Sequence, residues 1–288
     1  MATSSIRVIV LTQGNATKLI QALSRVDGIE IASVFVERPS VKHRTFSETI
    51  RRSIKYDGMF ATIIKFFRII IGLPSKGQRE LNEVFERQST LESFLRDGQI
   101  KYTVVDDFHS ETSLREMKAV APDLGILYGT NIVKEVVFNI PRFGSINLHQ
   151  GLAPYYRGGP TVFWELYNNE NKIGITVHFV ASKVDTGDII VQRILPLHYD
   201  FATYGLDFDS YIDDFRRSLT EPSIELVVLA VEQILIGNAP RIVQQTELGK
   251  RYRLPTYKQR NELRRKLFKR FSGQGANSGE ASSQSVVL

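Results

Sequence analysis

The chain has 288 residues, of which 42% are hydrophobic and 24% charged, with a formal net charge of +6. That is an ordinary globular balance, with apolar residues enough for a sizeable core in one large domain or two smaller ones. There is no cysteine, which excludes disulfides, cysteine–zinc sites and thiol catalysis and fits a reducing compartment. The positive charge is local: residues 250–270 hold ten Lys/Arg against one acid, Glu262. That run reads as a solvated helix with a tail, or else as a contact for a phosphate-bearing substrate, an anionic membrane or an acidic partner. The opening MATSSIRVIVLTQG lacks a basic stretch before an apolar one and reads as the lead-in to a strand, not a signal peptide. No apolar run approaches the roughly 18–20 residues of a membrane span, so a cytoplasmic protein is expected.

In chain order, IRVIVLT (6–12) is a β-branched run of strand length, TQGNATKL a turn, KLIQALSRV a helix and IEIASVFVE (29–37) a second strand. This β-loop-α-β opening is the signature of a parallel α/β sheet. Residues 40–98 interrupt it as a helical insertion. Within it, DGMFATIIKFFRIIIGLPS (57–75) mixes aromatic and β-branched residues with Lys65 and Arg68. Burial or a partner contact is the favoured reading of this segment, and an amphipathic helix lying on a membrane is the other. GQRELNEVFERQSTLESFLRDGQ is a charged amphipathic helix. The alternation then resumes with a strand at 100–107 and a Ser- or Thr-capped helix at 110–122. A strand at 123–129, a short helix in NIVKEVVFNI and a strand at 143–149 follow. PTVFWELYNNE is helical, KIGITVHFVAS and DIIVQRILPL form a strand pair, and 223–237 is a helix ending near Gly237. Residues 272–288 are small and polar and read as a disordered tail. The expected fold is therefore α/β, a doubly wound, mostly parallel sheet. The α/β domain is expected to span 1–245, followed by a basic segment 246–271 and the tail 272–288.

In such sheets ligands bind at the carboxyl ends of the strands, and one strand ends in Asn147-Leu148-His149 before the turn-rich QGLAPYYRGGP. Asn147 and His149 stand at i and i+2, so an amide donor and an imidazole share one face. Asp185 sits in KVDTGDII, where Gly187 permits a tight turn. A carboxylate beside an imidazole fixes its tautomer and raises its basicity. With no Ser or Cys nucleophile nearby, the set points to direct acyl or one-carbon transfer, the amide steadying an oxyanion and the imidazole moving a proton. Asp185 reads equally as a turn-capping residue, and Asp188 competes for its role. No metal site is expected.

The stretches NLHQGLAPYYRGGP, TVHFV and VDTGDII resemble the 10-formyltetrahydrofolate-dependent formyltransferases, whose motif Asn-x-His-x-x-x-Leu-Pro-x-(Tyr-Arg)-Gly precedes an Asp by thirty-six residues from the His. His149 and Asp185 keep that separation. The likeness covers 120–197, extends to 6–37, and lapses over 40–100 and after about 240. It implies Rossmann-like architecture and 10-formyltetrahydrofolate as cofactor. It also implies Asn147 as the oxyanion-stabilising amide, His149 as the proton-transfer residue and Asp185 as the carboxylate that orients it. The folate pocket would lie between two loops, Tyr128, Gly129, Thr130, Asn131 and Ile132 on one side and Val180, Val184, Gly187 and Asp188 on the other. Leu152-Ala153-Pro154 replaces the usual Leu-Leu-Pro, and Gln150 replaces a small residue or proline, narrowing the substrate side. Arg157-Gly158-Gly159-Pro160 and Trp164 resemble the tRNA and sugar branches.

The first loop, Gly14-Asn15-Ala16-Thr17-Lys18, resembles the phosphate loop of the glycinamide ribonucleotide branch; the alternative is an ordinary tight turn. Gly14, Asn15, Thr17, Lys18, Gln150, Tyr156, Arg157 and Gly158 are thus the candidate substrate residues. The resemblance implies an N-formyltransferase acting on a small phosphate-bearing amine, the amino sugar nucleotide being favoured for the insertion and the C-terminal segment. Phosphoribosylglycinamide is the alternative, and a non-catalytic binding protein of the same fold is a third reading. Methionyl-tRNA is least favoured, because that branch carries a C-terminal β-barrel where this chain reads as a helix, a short strand, a basic helix and a tail. Nucleic acid is accordingly not an expected partner; a peripheral membrane contact and a homodimer are left open.

Overall fold

The computed structural model describes residues 5–14, 16–39, 45–70, 76–272 and 286–287. Five parallel strands form its centre: β1 (Ile6–Thr12), β2 (Ile29–Glu37), β3 (Tyr102–Val105), β4 (Leu124–Tyr128) and β5 (Ser145–His149). Skipping the short β6 (Tyr156–Gly158), the sheet continues through antiparallel β7 (Lys172–Phe179) and β8 (Ile189–Pro196). Outside the sheet lies β9 (Lys250–Tyr252), and β10 (Val286–Val287) closes the edge against β8. The order β10-β8-β7-β5-β4-β1-β2-β3 places the topological switch between β1 and β4, with β5 next to it. β1 and β4 are buried on both faces, which is why their sequences read as near-continuous apolar runs rather than alternations. The α/β, doubly wound, mostly parallel architecture expected from sequence is the one observed, with an antiparallel flank.

Helices cover both faces. One core gathers Val8, Val10, Ile126, Ile146 and Val177 with Leu226, Val227 and Val231 of the long helix 220–235. The other gathers Ile9, Leu11, Phe35 and Leu127 with Met117, Val137 and Phe138. The helices are α1 (Thr17–Leu23), α2 (Phe46–Asp57), α3 (Met59–Ile70), α4 (Lys76–Asp97), α5 (Glu111–Val120), α6 (Glu135–Phe138), α7 (Phe163–Tyr167), α8 (Phe201–Tyr204), α9 (Phe208–Ser218), α10 (Thr220–Leu235) and α11 (Tyr257–Ser272). Caps set several starts: Thr45 and Glu48 form a reciprocal capping box on α2, and Ser110 accepts from the Ser113 amide at α5. α10 begins ahead of 223, and Gly237 (φ +71) follows its end.

Within the expected insertion, α4 is core. It lies between β2 and β3 in sequence, buries Leu91 and Leu95 completely, and sends Gln88 Nε2 to the Glu37 carbonyl (2.7 Å). α3 corrects the burial half of the favoured reading and leaves a partner contact or the membrane reading: Met59, Phe60, Ile63, Ile64 and Phe67 are all exposed. Its exposed apolar face turns away from α2, which Thr62, Lys65 and Phe66 meet. α9 had no counterpart in the sequence reading, since DFDSYIDDFRRS is rich in aspartate. Its Phe208, Tyr211 and Ile212 nevertheless pack inward, and Asp207 caps the Ser210 amide. Of the tail read as disordered, 273–285 and 288 lie outside the described residues, whereas Ser272 ends α11 and Val286–Val287 pair with β8.

Truncating a fully enclosed side chain of α4 tests its place in the core. Leu95→Ala is expected to destabilise the protein by about 2–5 kcal/mol, the usual result for a cavity left in a packed interior. The shift of the urea unfolding midpoint measures it; a shift of only a few tenths would mean that α4 is a detachable insertion.

Candidate active site

β5 fixes the centre of the site. Asn147 and His149 share the face on which Leu127 lies beside Asn147 across the parallel β4 register. On the other side the antiparallel register sets His178 of β7 opposite Asn147, and Thr176 opposite His149. The loop 180–188 then folds back so that Asp185, at φ +53, meets this face. Aspartate is one of the few residues that adopt the left-handed region readily. Gly187 makes the return possible, since a Cβ there would stand 1.8 Å from the Phe179 carbonyl oxygen.

Asp185 is the hub. Its Oδ2 accepts from the Gly158 amide at 2.8 Å and lies 3.5 Å from His149 Nδ1. Its Oδ1 lies 3.5 Å from both Asn147 Nδ2 and His178 Nε2, and Asn147 Nδ2 is 3.4 Å from that same His178 nitrogen. Burial alone would raise the Asp185 carboxyl. The hydrogen bond with His178, the charges of His149 and His178, and the Gly158 amide outweigh burial and hold it at about 2. His149 is pulled below its ordinary value by burial, with Asp185 and the Tyr156 carbonyl opposing and His178 adding to the depression.

Hydrogen-bond partners assign the tautomers. His149 Nε2 stands 2.6 Å from the Tyr156 carbonyl oxygen, which can only accept, so Nε2 carries a hydrogen. The neutral ring therefore turns the Nδ1 lone pair toward Asp185, and a proton arriving on Nδ1 converts that contact into an ion pair. His178 Nδ1 donates to the Phe179 carbonyl at 2.7 Å, and its Nε2 faces both the Asn147 amide nitrogen at 3.4 Å and Asp185 Oδ1 at 3.5 Å. The 3.4–3.5 Å separations leave room for tightening around a bound reactant, as catalytic hydrogen bonds commonly do.

The loop after β5 is pinned from below and above. Thr176 Oγ1 donates to the Gly151 carbonyl and accepts from the Ala153 amide. Above it, β6 pairs in parallel with β9 from the basic C-terminal segment. Tyr156 stacks on Tyr252 with centroids 5.2 Å apart, and Trp164 Nε1 donates to the Arg253 carbonyl. The basic segment is therefore a brace for this loop as well as a charged surface.

The candidate substrate residues divide. Gly158 joins the cluster through Asp185, and Tyr156 through its carbonyl. Arg157 is committed to the carbonyls of Pro154, Thr246 and Gly249, so it fastens the brace. Gln150 turns toward Ser223 at 3.5 Å. Gly14 and Thr17 lie two strands away beyond β4; Gly14 is closed over by Gln88, and Lys18 is paired with Glu221. Asn15 lies outside the described residues. No recorded hydrogen bond among the described residues links the first loop to the Asp185 cluster.

Of the two candidate folate loops, one follows β4 and the other follows β7, the two neighbours of β5. Val133 and Val180 enter one apolar cluster, and Tyr128 is buried, its hydroxyl pushed up by that burial. Gly129, Thr130 and Asn131 form the rim, with Ile132 66% exposed beside them. Val184 is half-buried and Asp188 faces Arg241 at 3.7 Å. His109 anchors the loop after β4: its Nε2 accepts from the Lys134 amide while Nδ1 meets Asp107 at 2.7 Å.

Sequence reasoning missed two polar residues here. His178 belongs to the quoted TVHFV, but its role needs the β5–β7 register. Glu165 is 1% exposed and neither carboxyl oxygen has a protein partner. It lies with Tyr156, Gly158 and Trp164 along a crevice too narrow to admit a water molecule, and burial pushes it up to about 7. A larger cleft of about 690 Å³ opens between α2, α9 and α11. Pro160 and Phe163 line it, with Arg52, Lys65, Arg216, Arg260 and Arg264 against Asp57, Asp209 and Asp213.

The fold is shared with two solved formyltransferases. It superposes with a TM-score of 0.54 on glycinamide ribonucleotide transformylase 1 from Symbiobacterium toebii, at 19% identity, covering 84% of this chain and 94% of that one. A 4-N formyltransferase from Francisella tularensis gives 0.52 at 18% identity, covering 86% and 76%. In sequence, residues 79–203 match the family model described as formyl transferase, so the resemblance read from the motifs holds. The methionyl-tRNA formyltransferase of Parabacteroides distasonis is 34% identical over 135 residues, 47% of this chain and 39% of that protein. That of Bacteroides fragilis is 27% identical over 176 residues, 61% and 51%. The chain thus spans about half, or less, of the length of these curated relatives.

Two acid–base tests follow with opposite signs. Asp185 is depressed when folded, so its stabilisation is present above its ordinary value of 3.8 and is lost as pH falls toward about 2. Wild type is expected to exceed Asp185→Asn by about 2 kcal/mol near neutrality, with the gap closing by pH 3 to 2 in urea titrations. Glu165 is raised when folded, so rising pH from 4.5 to about 7 destabilises the wild type. Glu165→Gln is therefore expected to gain about 3 kcal/mol relative to wild type at pH 8 over pH 4; a pH-independent difference would show that the carboxyl is solvated.

Proposed function

We propose that this chain is an N-formyltransferase that moves a formyl group from 10-formyltetrahydrofolate to a primary amine. One observation carries the reading. Asn147, His149 and Asp185, thirty-eight residues apart at their extremes in sequence, meet on one face of β5 between two candidate folate loops. The donor set fits the folate. The Asn147 amide is half-buried and has only long contacts, and the exposed Ile132 offers an apolar lip to a flat ring. When bound, the folate supplies the activated formyl carbon at its N10.

The chain's residues then have distinct tasks. The Asn147 N–H donates to the formyl oxygen as negative charge develops there. Neutral His149 takes up the proton released by the attacking amine on Nδ1 and returns it to the leaving nitrogen. Asp185 stays ionised throughout and stabilises the charged imidazole. His178 holds the Asn147 amide in place.

A phosphate-bearing amine, and within that class an amino sugar nucleotide, is the favoured acceptor. The cation-lined cleft beside Pro160 supports it, being of a size that suits a nucleotide-scale ligand. Phosphoribosylglycinamide fits the same chemistry. The curated relatives favour a second reading, an aminoacyl-tRNA amine, since the proteins matched at 34% and 27% identity are methionyl-tRNA formyltransferases.

Incubation with 10-formyltetrahydrofolate and each acceptor class, followed by release of tetrahydrofolate, decides among them. Turnover is expected with one class, reduced about 10²–10³-fold in Asn147→Ala and about 10²–10⁴-fold in His149→Ala, the range for loss of an oxyanion donor and of a general base. Far-UV circular dichroism of both variants should match wild type. No transfer to any acceptor would leave only a folate- or nucleotide-binding protein, and turnover indifferent to His149 would remove that residue from the proton transfer.

A further inference from the structure

The least explained surface is α3. Met59, Phe60, Ile63, Ile64 and Phe67 are between 45% and 75% exposed. At 100° per residue they fall within an arc of about 140° on one side of the helix. The other side is occupied: Thr62 Oγ1 donates to Ser53 Oγ at 3.0 Å, and Lys65 faces Asp57 at 3.9 Å. Phe46, 71% exposed, meets Phe66 edge-on at 5.4 Å and extends the apolar surface onto the start of α2. A contiguous stripe of large apolar side chains on a surface helix marks a contact surface rather than scatter.

Its surroundings specify the contact. Residues 46–70 hold five Lys/Arg against two acids, and residues 257–272 seven against one. The two segments are neighbours. α2 packs against α11, and a Cβ on Gly58, at the α2–α3 turn, would sit 2.9 Å from the Tyr257 ring that opens α11. An apolar stripe is thus joined to a positively charged helix from a different part of the chain. We propose that this face docks the protein on an anionic lipid bilayer, α3 lying in the interfacial plane and the basic residues of α2 and α11 reaching the headgroups. A second copy is the poorer occupant, because a symmetric pair would set these positive surfaces near each other. Among the described residues no helix is long and apolar enough to cross a membrane, so the attachment is peripheral. The docking does not depend on which amine is formylated.

Flotation of the full chain with vesicles tests it. The protein is expected to float with phosphatidylcholine vesicles containing phosphatidylglycerol, and at least about tenfold less with phosphatidylcholine alone. The triple variant Phe60→Asp/Ile64→Asp/Phe67→Asp should lower the bound fraction about tenfold with its circular dichroism unchanged. Arg51→Glu/Lys55→Glu should weaken binding to anionic vesicles while leaving the low neutral background as it is. Wild type that stays unbound overturns the proposal. So does a triple variant that floats as well as wild type, since α11 charge alone would then be responsible. So does a wild-type dimer that the triple variant converts to a monomer without vesicle binding, since a second copy would then cover the stripe.

Discussion

The site depends on one buried anion. Asp185 is taken out of water by the loop 180–188, and a carboxylate so placed stays ionised only if its surroundings replace the lost hydration. Here the replacements are the Gly158 amide and the Asn147 amide, and the imidazoles of His149 and His178 face the carboxylate and pair with it when protonated. These groups belong to the motif loop, to β5 and to β7. Keeping the charge satisfied therefore requires the β5–β7 register, the return made possible by Gly187 and the course of the loop through Gly158 all at once. The same field that holds the carboxyl at about 2 is the field that a proton arriving on His149 would meet.

A second dependence runs through the C-terminal segment. The motif loop carries polar backbone across the top of the sheet and would be expected to move. It is held by pairing of β6 with β9, by Arg157 on three carbonyls, and by Tyr156, Trp164 and Tyr252 packed together. The positive helix that follows, α11, buries Leu263 and Leu267 while its charges line the large cleft and reach the α2–α3 hairpin. Brace, cleft wall and charged surface are thus one segment. This brings the α2–α3 hairpin and the C-terminal segment together.

Much of this was legible in the chain. The β-branched runs IRVIVLT and IEIASVFVE form strands at the expected bounds, because strands buried on both faces must be continuously apolar. The i, i+2 spacing of Asn147 and His149 implied a shared face, and thirty-six residues to Asp185 matched a known motif. The α3 stripe was visible as a mixture of aromatic and β-branched residues, but not its destination: periodicity shows that a helix has an apolar side and is silent on what covers it. α9 was hidden because its aspartates mask three inward residues, and Arg157 was read as a ligand contact because a guanidinium that binds carbonyls looks the same in sequence as one that binds phosphate.

By itself, then, the sequence determined the strands, the mostly parallel α/β class and the shared face of Asn147 and His149, since these follow from local periodicity, while the thirty-six residues to Asp185 matched a known motif. Only the tertiary structure decided that His178 faces Asn147, that Glu165 is enclosed without a partner, and that the C-terminal segment clasps the motif loop. Those facts depend on strand register and on contacts between residues dozens of positions apart. Such contacts are set by the packing of the whole molecule, and no short stretch of sequence contains them.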